Sequence, residues 1–184
     1  APLQGDPSPS PYDTGALFHG PAFQVLASLV RSAEGASSVL QAAGGVPTGR
    51  LNPGLLDGAT HGIPHDQLHA WYPEISEDKV AYPALIPEMH FYGPTPTTGT
   101  VRCEVRPDGT MGSPDHPAFR VQLIGDQGVW CDFRLIEACF DKGRIGQATP
   151  ADRRAFLRDG RFVPGVRTST ASEGRTHLTE SAVA

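Results

Sequence analysis

Residues 51–64, LNPGLLDGATHGIP, decide how the rest of the chain is read. Asn52 is a good N-cap and Pro53 suits the first helical position, while Leu55, Leu56 and Ala59 give a mostly apolar face. The stretch therefore predicts a helix, which Gly62 and Pro64 end or kink. Strand signals lie on both sides of it. FQVLASLVRSAEG and ASSVLQAAGG predict two strands around a tight turn at Glu34-Gly35. Beyond the helix, HDQLHAWY offers a further short turn. Four more strands are predicted at AYPALIPEMHFYG, GTVRCEVRP, AFRVQLIG and VWCDFRLIEACF, separated by turns rich in Gly, Pro and Asp. In the last of these Trp130, Asp132, Arg134 and Ile136 share one parity, and Cys131, Phe133, Leu135 and Glu137 the other. Six or so strands around one embedded helix predict an α+β fold, a curved antiparallel sheet wrapped on a helix. Such a helix is apolar on nearly all sides, and a polar residue on it is costly unless it faces a cavity. Asp57 is such a residue.

The chain has 184 residues, enough for one domain with tails, and its 21 glycines and 18 prolines gather at the ends and in turns. A net charge of -5 with no basic stripe argues against a nucleic-acid partner. No apolar run is long enough for a membrane span, and no signal segment opens the chain. Cys103, Cys131 and Cys139 have no CxxC spacing, which fits a reduced, cytoplasmic protein. The first residue is Ala rather than Met, as expected of a piece of a longer protein. Residues 1–14, with four prolines, predict a linker, and the polar end from about Thr168 predicts a mobile tail.

Three stretches can carry chemistry. Asp57 is either a first-turn helix acid facing water or a carboxyl in small, apolar surroundings. In the second case its pKa is raised, which suits it to give up a proton, and His61 one turn on can orient it. LFHGPAFQ, residues 17–24, is either a turn packed by Phe18 and Phe23 or one wall of a substrate tunnel into which His19 points a donor. His61, His65 and His69 recur every four residues, as ligands on a helix do. Pro64 interrupts that helix and no HExxH glutamate accompanies it, so the row predicts surface and capping histidines rather than a metal site. Neither a GxSxG nucleophile nor a phosphate loop is present.

LFHGPAFQ resembles the Y-G-P-x-F-Q type motif, and LLDGATH the L-L-D-x-x-x-Q/H motif, of dehydratase domains in polyketide synthases and related polyunsaturated fatty acid synthases. The strand pair between them and the later ALIPEMHFYGPTPTTGTVRCEVRP are also similar, and the likeness runs from about Phe18 to about Gly146. It implies a hot-dog fold with a long helix, and a dehydratase built of two hot-dogs in tandem. The aspartate of the second hot-dog falls on Asp57 and its Gln/His companion on His61. His19 stands where the family has tyrosine. The family's base, a histidine in H-x-x-x-G-x-x-x-x-P on the first hot-dog, has no counterpart here. The resemblance thus implies residues 15–146 as the C-terminal hot-dog and 147–184 as a largely irregular trailing linker.

The implied reaction is loss of water from a 3-hydroxyacyl chain on the phosphopantetheine of an acyl carrier protein. Asp57 acts as acid, without a metal or a cofactor of the chain's own. His19, Gly20, Pro21, Phe23, Gln24 and Leu56 are the implied substrate contacts, with Phe18 and Ile86 as further tunnel residues. An N-terminal dehydratase hot-dog is the implied partner, or in its place a homodimer. The alternatives are a non-catalytic acyl-binding hot-dog in which Asp57 is a structural cap, a cyclase on the same fold, and a metal hydrolase using the three histidines. A catalytic Asp57 is expected to face a tunnel with a raised pKa, a capping one to be exposed with a lowered pKa.

Overall fold

The computed structural model describes residues 3–143, 148–149, 151–152, 166–170 and 176–180. Its main sheet has six antiparallel strands: β1 (Leu26–Ser32), β2 (Gly35–Gln41), β3 (Lys79–Phe91), β4 (Thr100–Met111), β5 (Ser113–Gly125) and β6 (Gly128–Asp141). They run in the order β1-β2-β4-β5-β6-β3, so β3 crosses the sheet to pair with β6. All six overlap the predicted runs, although β4 and β5 extend past theirs and meet at Gly112. Gly35 (φ 136) closes the β1–β2 hairpin, and a Cβ there would collide with the Val105 carbonyl of β4. Pro83 and Pro87 lie on β3, an edge strand where a missing N–H is tolerated, and the register shifts beside them.

Between β2 and β3 the chain folds into the helical segment expected from residues 51–64. It is much shorter than a long hot-dog helix. Regular α-helix α2 covers only Pro53–Gly58. From there i→i+3 bonds take over, from Thr60 N–H to Asp57 O, His61 N–H to Gly58 O and Ile63 N–H to Thr60 O. Gly58, Gly62 and Pro64 weaken or end the helix, and Gly58 is pressed against Val25 so closely that a Cβ would overlap it. The apolar side of the segment remains buried: Leu55, Ala59, Ile63 and Leu68 join Leu40, Val105, Phe119, Leu123, Phe133 and Leu135 in one core. Asn52 is buried and fixes the start, its Oδ1 accepting from Leu55 N–H at 3.1 Å while its Nδ2 donates to Ala42 O and Pro96 O.

One terminal expectation is corrected. Residues 7–14 are not a free linker: Pro7 bridges Val30, Ser8 N–H donates to Leu29 O, and Pro11–Thr14 forms a helical turn, α1, capped by Ser10. The reason is Tyr12, 8% exposed, which anchors the segment in the core. Within the region expected to be a largely irregular trailing linker, β7 (Val166–Thr170) pairs with β8 (Thr176–Glu180) as a separate two-stranded sheet. Among the described residues no helix is long and apolar enough to cross a membrane.

Candidate active site

His61 is the fixed point of the site. It is fully buried on the turn after α2, and Arg31 of β1 holds that turn by donating to Gly62 O (2.8 Å) and His61 O (3.4 Å). Its Nδ1 lies 2.7 Å from the Tyr12 hydroxyl, which itself accepts from Leu26 N–H at 3.2 Å. Because the Asp57 carboxylate beside Nε2 can only accept, the tautomer that satisfies both contacts carries its proton on Nε2 and accepts the Tyr12 proton at Nδ1. That nitrogen faces Asp57 Oδ2 at 3.1 Å and His19 Nε2 at 3.2 Å. His19 Nε2 is 3.4 Å from the same carboxylate oxygen. Burial lowers the pKa of His61 more than Asp57 raises it, which keeps the ring neutral.

Asp57 is not a cap. Asn52 fills that role, and Asp57 sits in the last turn of α2. There the helix dipole disfavours a negative charge, so neighbouring side chains must hold it. Its side chain is 37% exposed and opens into a cleft of about 640 Å³. Burial pushes its carboxyl upward, but hydrogen bonds from His19 and His61 outweigh this and hold it well below the usual carboxylate range. The cleft expected of a catalytic aspartate is there, while the raised pKa is not.

The cleft is walled by Leu17, Phe18, Val80, Tyr82 and Phe140, with His19 and His65 at its polar side. Of the expected contacts, His19 and Phe18 line it. Gly20, Pro21, Phe23, Leu56 and Ile86 do not; Ile86 is on the exposed part of β3, and Pro21–Phe23 forms a 3₁₀ turn outside the cleft. Gln24 supports the site indirectly, its Nε2 donating to His19 O at 2.7 Å. The three regularly spaced histidines part company. His65 Nδ1 lies 2.9 Å from the fully buried Glu137, and His69 faces Glu77 at 3.9 Å. Tyr12 was missed because its proline-rich setting masks the Ser10-Pro11 helix start, the one signal of order there.

A family model described as "Polyketide synthase dehydratase N-terminal domain" matches residues 10–134. The chain belongs to the polyketide synthase dehydratase family. Solved dehydratase domains share its fold. That of PpsC from Mycobacterium tuberculosis is 22% identical with a TM-score of 0.57, over 77% of this chain and 55% of that one. That of RzxB from Pseudomonas fluorescens is 23% identical with a TM-score of 0.51, over 72% and 47%. The dehydratase domain of the CurH module of curacin polyketide synthase is 16% identical with a TM-score of 0.56, over 75% and 50%. This member of the family thus has the hot-dog fold and spans about half the length of these domains. No curated protein sequence matches it.

Proposed function

We propose that the chain is the C-terminal hot-dog of a dehydratase that removes water from a 3-hydroxyacyl group on a carrier protein. One observation carries this reading: Asp57, oriented by His61, opens into an apolar cleft in a chain of the dehydratase family. The matched family model bears the N-terminal description, whereas the side chains favour the second hot-dog. Asp57 and His61 occupy the L-L-D-x-x-x-Q/H positions, and the base motif H-x-x-x-G-x-x-x-x-P is missing from the sequence.

In the proposed reaction a histidine of the partner hot-dog takes the proton next to the thioester carbonyl. Asp57 protonates the departing 3-hydroxyl, and the double bond forms as water leaves. Asp57 must carry a proton for this, although His19 and His61 hold it ionised in the open cleft. An acyl chain between Phe18, Tyr82 and Phe140 would exclude water and strengthen the desolvation that already pushes the carboxyl upward. The same lowered pKa favours the second reading, an acyl-binding hot-dog whose Asp57 stays a hydrogen-bond acceptor.

Dehydration of a 3-hydroxyacyl-pantetheine thioester separates the two readings. It should require an added N-terminal hot-dog and fall about 10²–10⁴-fold with Asp57→Asn. A reconstituted pair that binds the thioester without turning it over would establish the second reading.

A further inference from the structure

The sequence draws attention to one row of histidines, but the fold assembles a different set. His19 precedes the 3₁₀ turn, Asp57 ends α2 and His61 lies one turn further on; their side-chain donor atoms meet beside the cleft. His19 Nε2, His61 Nε2 and Asp57 Oδ2 are 3.1, 3.2 and 3.4 Å apart. The circle through three such points has a radius of about 1.9 Å, just inside the ~2.0–2.2 Å bonds of zinc to nitrogen and carboxylate oxygen. On either side of their plane, a position slightly off it therefore lies at bonding distance from all three atoms. Neighbouring ligands of a tetrahedral ion are ~3.3 Å apart, close to the observed spacings.

We propose that His19, Asp57 and His61 form a three-ligand site for a divalent transition-metal ion of the zinc class, with its fourth position toward the cleft. Two imidazoles and one carboxylate favour such an ion over magnesium or calcium, which prefer all-oxygen shells. One of the two imidazoles already has the partner expected of a metal ligand on its far nitrogen. Tyr12 meets the far nitrogen of His61 at 2.7 Å, and Gln24 ties the His19 backbone at 2.7 Å. When Nε2 of His61 binds the ion, its proton resides on Nδ1, and the Tyr12 oxygen accepts it in place of donating. The site does not depend on the dehydratase reading: the ion binds whether or not the chain dehydrates anything. Where both hold, a bound ion occupies the carboxylate oxygen facing the histidines, and metal and acyl substrate compete.

The test is calorimetric titration of the chelator-stripped chain with Zn²⁺, repeated with Co²⁺ and followed by visible absorption. The expected result is one ion per chain with the Co²⁺ spectrum of a four-coordinate site. Tyr12→Phe should weaken binding by about 10-fold. His19→Phe and Asp57→Asn should each weaken it further, and His90→Ala, which alters exposed contacts with Asp132 and Tyr92 away from the site, should not. Thermal unfolding checks that each variant is folded; Zn²⁺ should raise the midpoint of the parent chain and not that of His19→Phe. Absence of one-to-one binding, or binding that survives both His19→Phe and Asp57→Asn in folded protein, overturns the proposal.

Discussion

Tyr12 holds the far nitrogen of His61 and so sets the tautomer that meets Asp57. Its hydroxyl accepts from Leu26 N–H and donates a hydrogen bond to Nδ1, so removing one oxygen leaves two buried groups without partners. Tyr12→Phe is expected to cost about 1–3 kcal/mol. A lower urea midpoint at an unchanged slope would show it, and a midpoint equal to the parent's would refute this role. The neighbouring Asp57–His61 contact was legible in the sequence because one helical turn separates the two residues. Tyr12 was not, being 49 positions from its partner in a segment whose prolines suggest a linker. The state of Asp57 was also misjudged: the apolar flanks of LLDG suggest a raised pKa, and the two imidazoles that reverse it meet the carboxylate only in the fold.

Between elements, the most consequential contact joins the turn after α2 to β6. His65 donates through Nε2 to Thr60 O at 3.1 Å and meets Glu137 Oε1 through Nδ1 at 2.9 Å. Burial lowers its pKa, but the charge of Glu137 beside it and the bond to Thr60 O outweigh this and raise it above 6.5. The folded protein thus binds this proton more tightly than the unfolded chain does. The resulting stability is complete below 6.5 and is lost as pH rises through the raised value. His65→Gln strands the buried Glu137 and should cost about 3–5 kcal/mol on the acid side of that window, less on the alkaline side. Urea midpoints of both proteins across the window check this, and a difference that grows with pH would contradict it. All six strands of the main sheet were legible, since alternation and turn residues are local signals. The length of the helix was not: the family likeness implies a long one, whereas Gly58 against Val25, Gly62 and Pro64 limit it to six residues.

Taken whole, the main sheet ends in β1 and β3; Pro7 and Ser8 cover part of the β1 edge, while β3 has no strand beyond it among the described residues. The β3 edge exposes Tyr82, Leu85, Ile86 and Phe91, an apolar run on a strand 13 residues long. With a chain about half the length of the related dehydratase domains, this edge is where we expect a second hot-dog to pair. On its own the chain should sediment as a dimer, and Leu85→Lys should shift it toward monomer. A strictly monomeric parent chain at high concentration would count against pairing.

The strand order also sets a timetable for synthesis. β1 and β2 can pair as soon as they are made, but β3 has no partner until β6, and 36 residues separate its last residue Phe91 from Gly128. At ~5–20 residues per second a ribosome leaves the strand alone for seconds, with its apolar side chains in water. Pro83 and Pro87 then guard it, because a strand lacking two N–H donors is a poor template for a stranger. The irregularities of register that they bring to the finished sheet coincide with a safeguard for the nascent one.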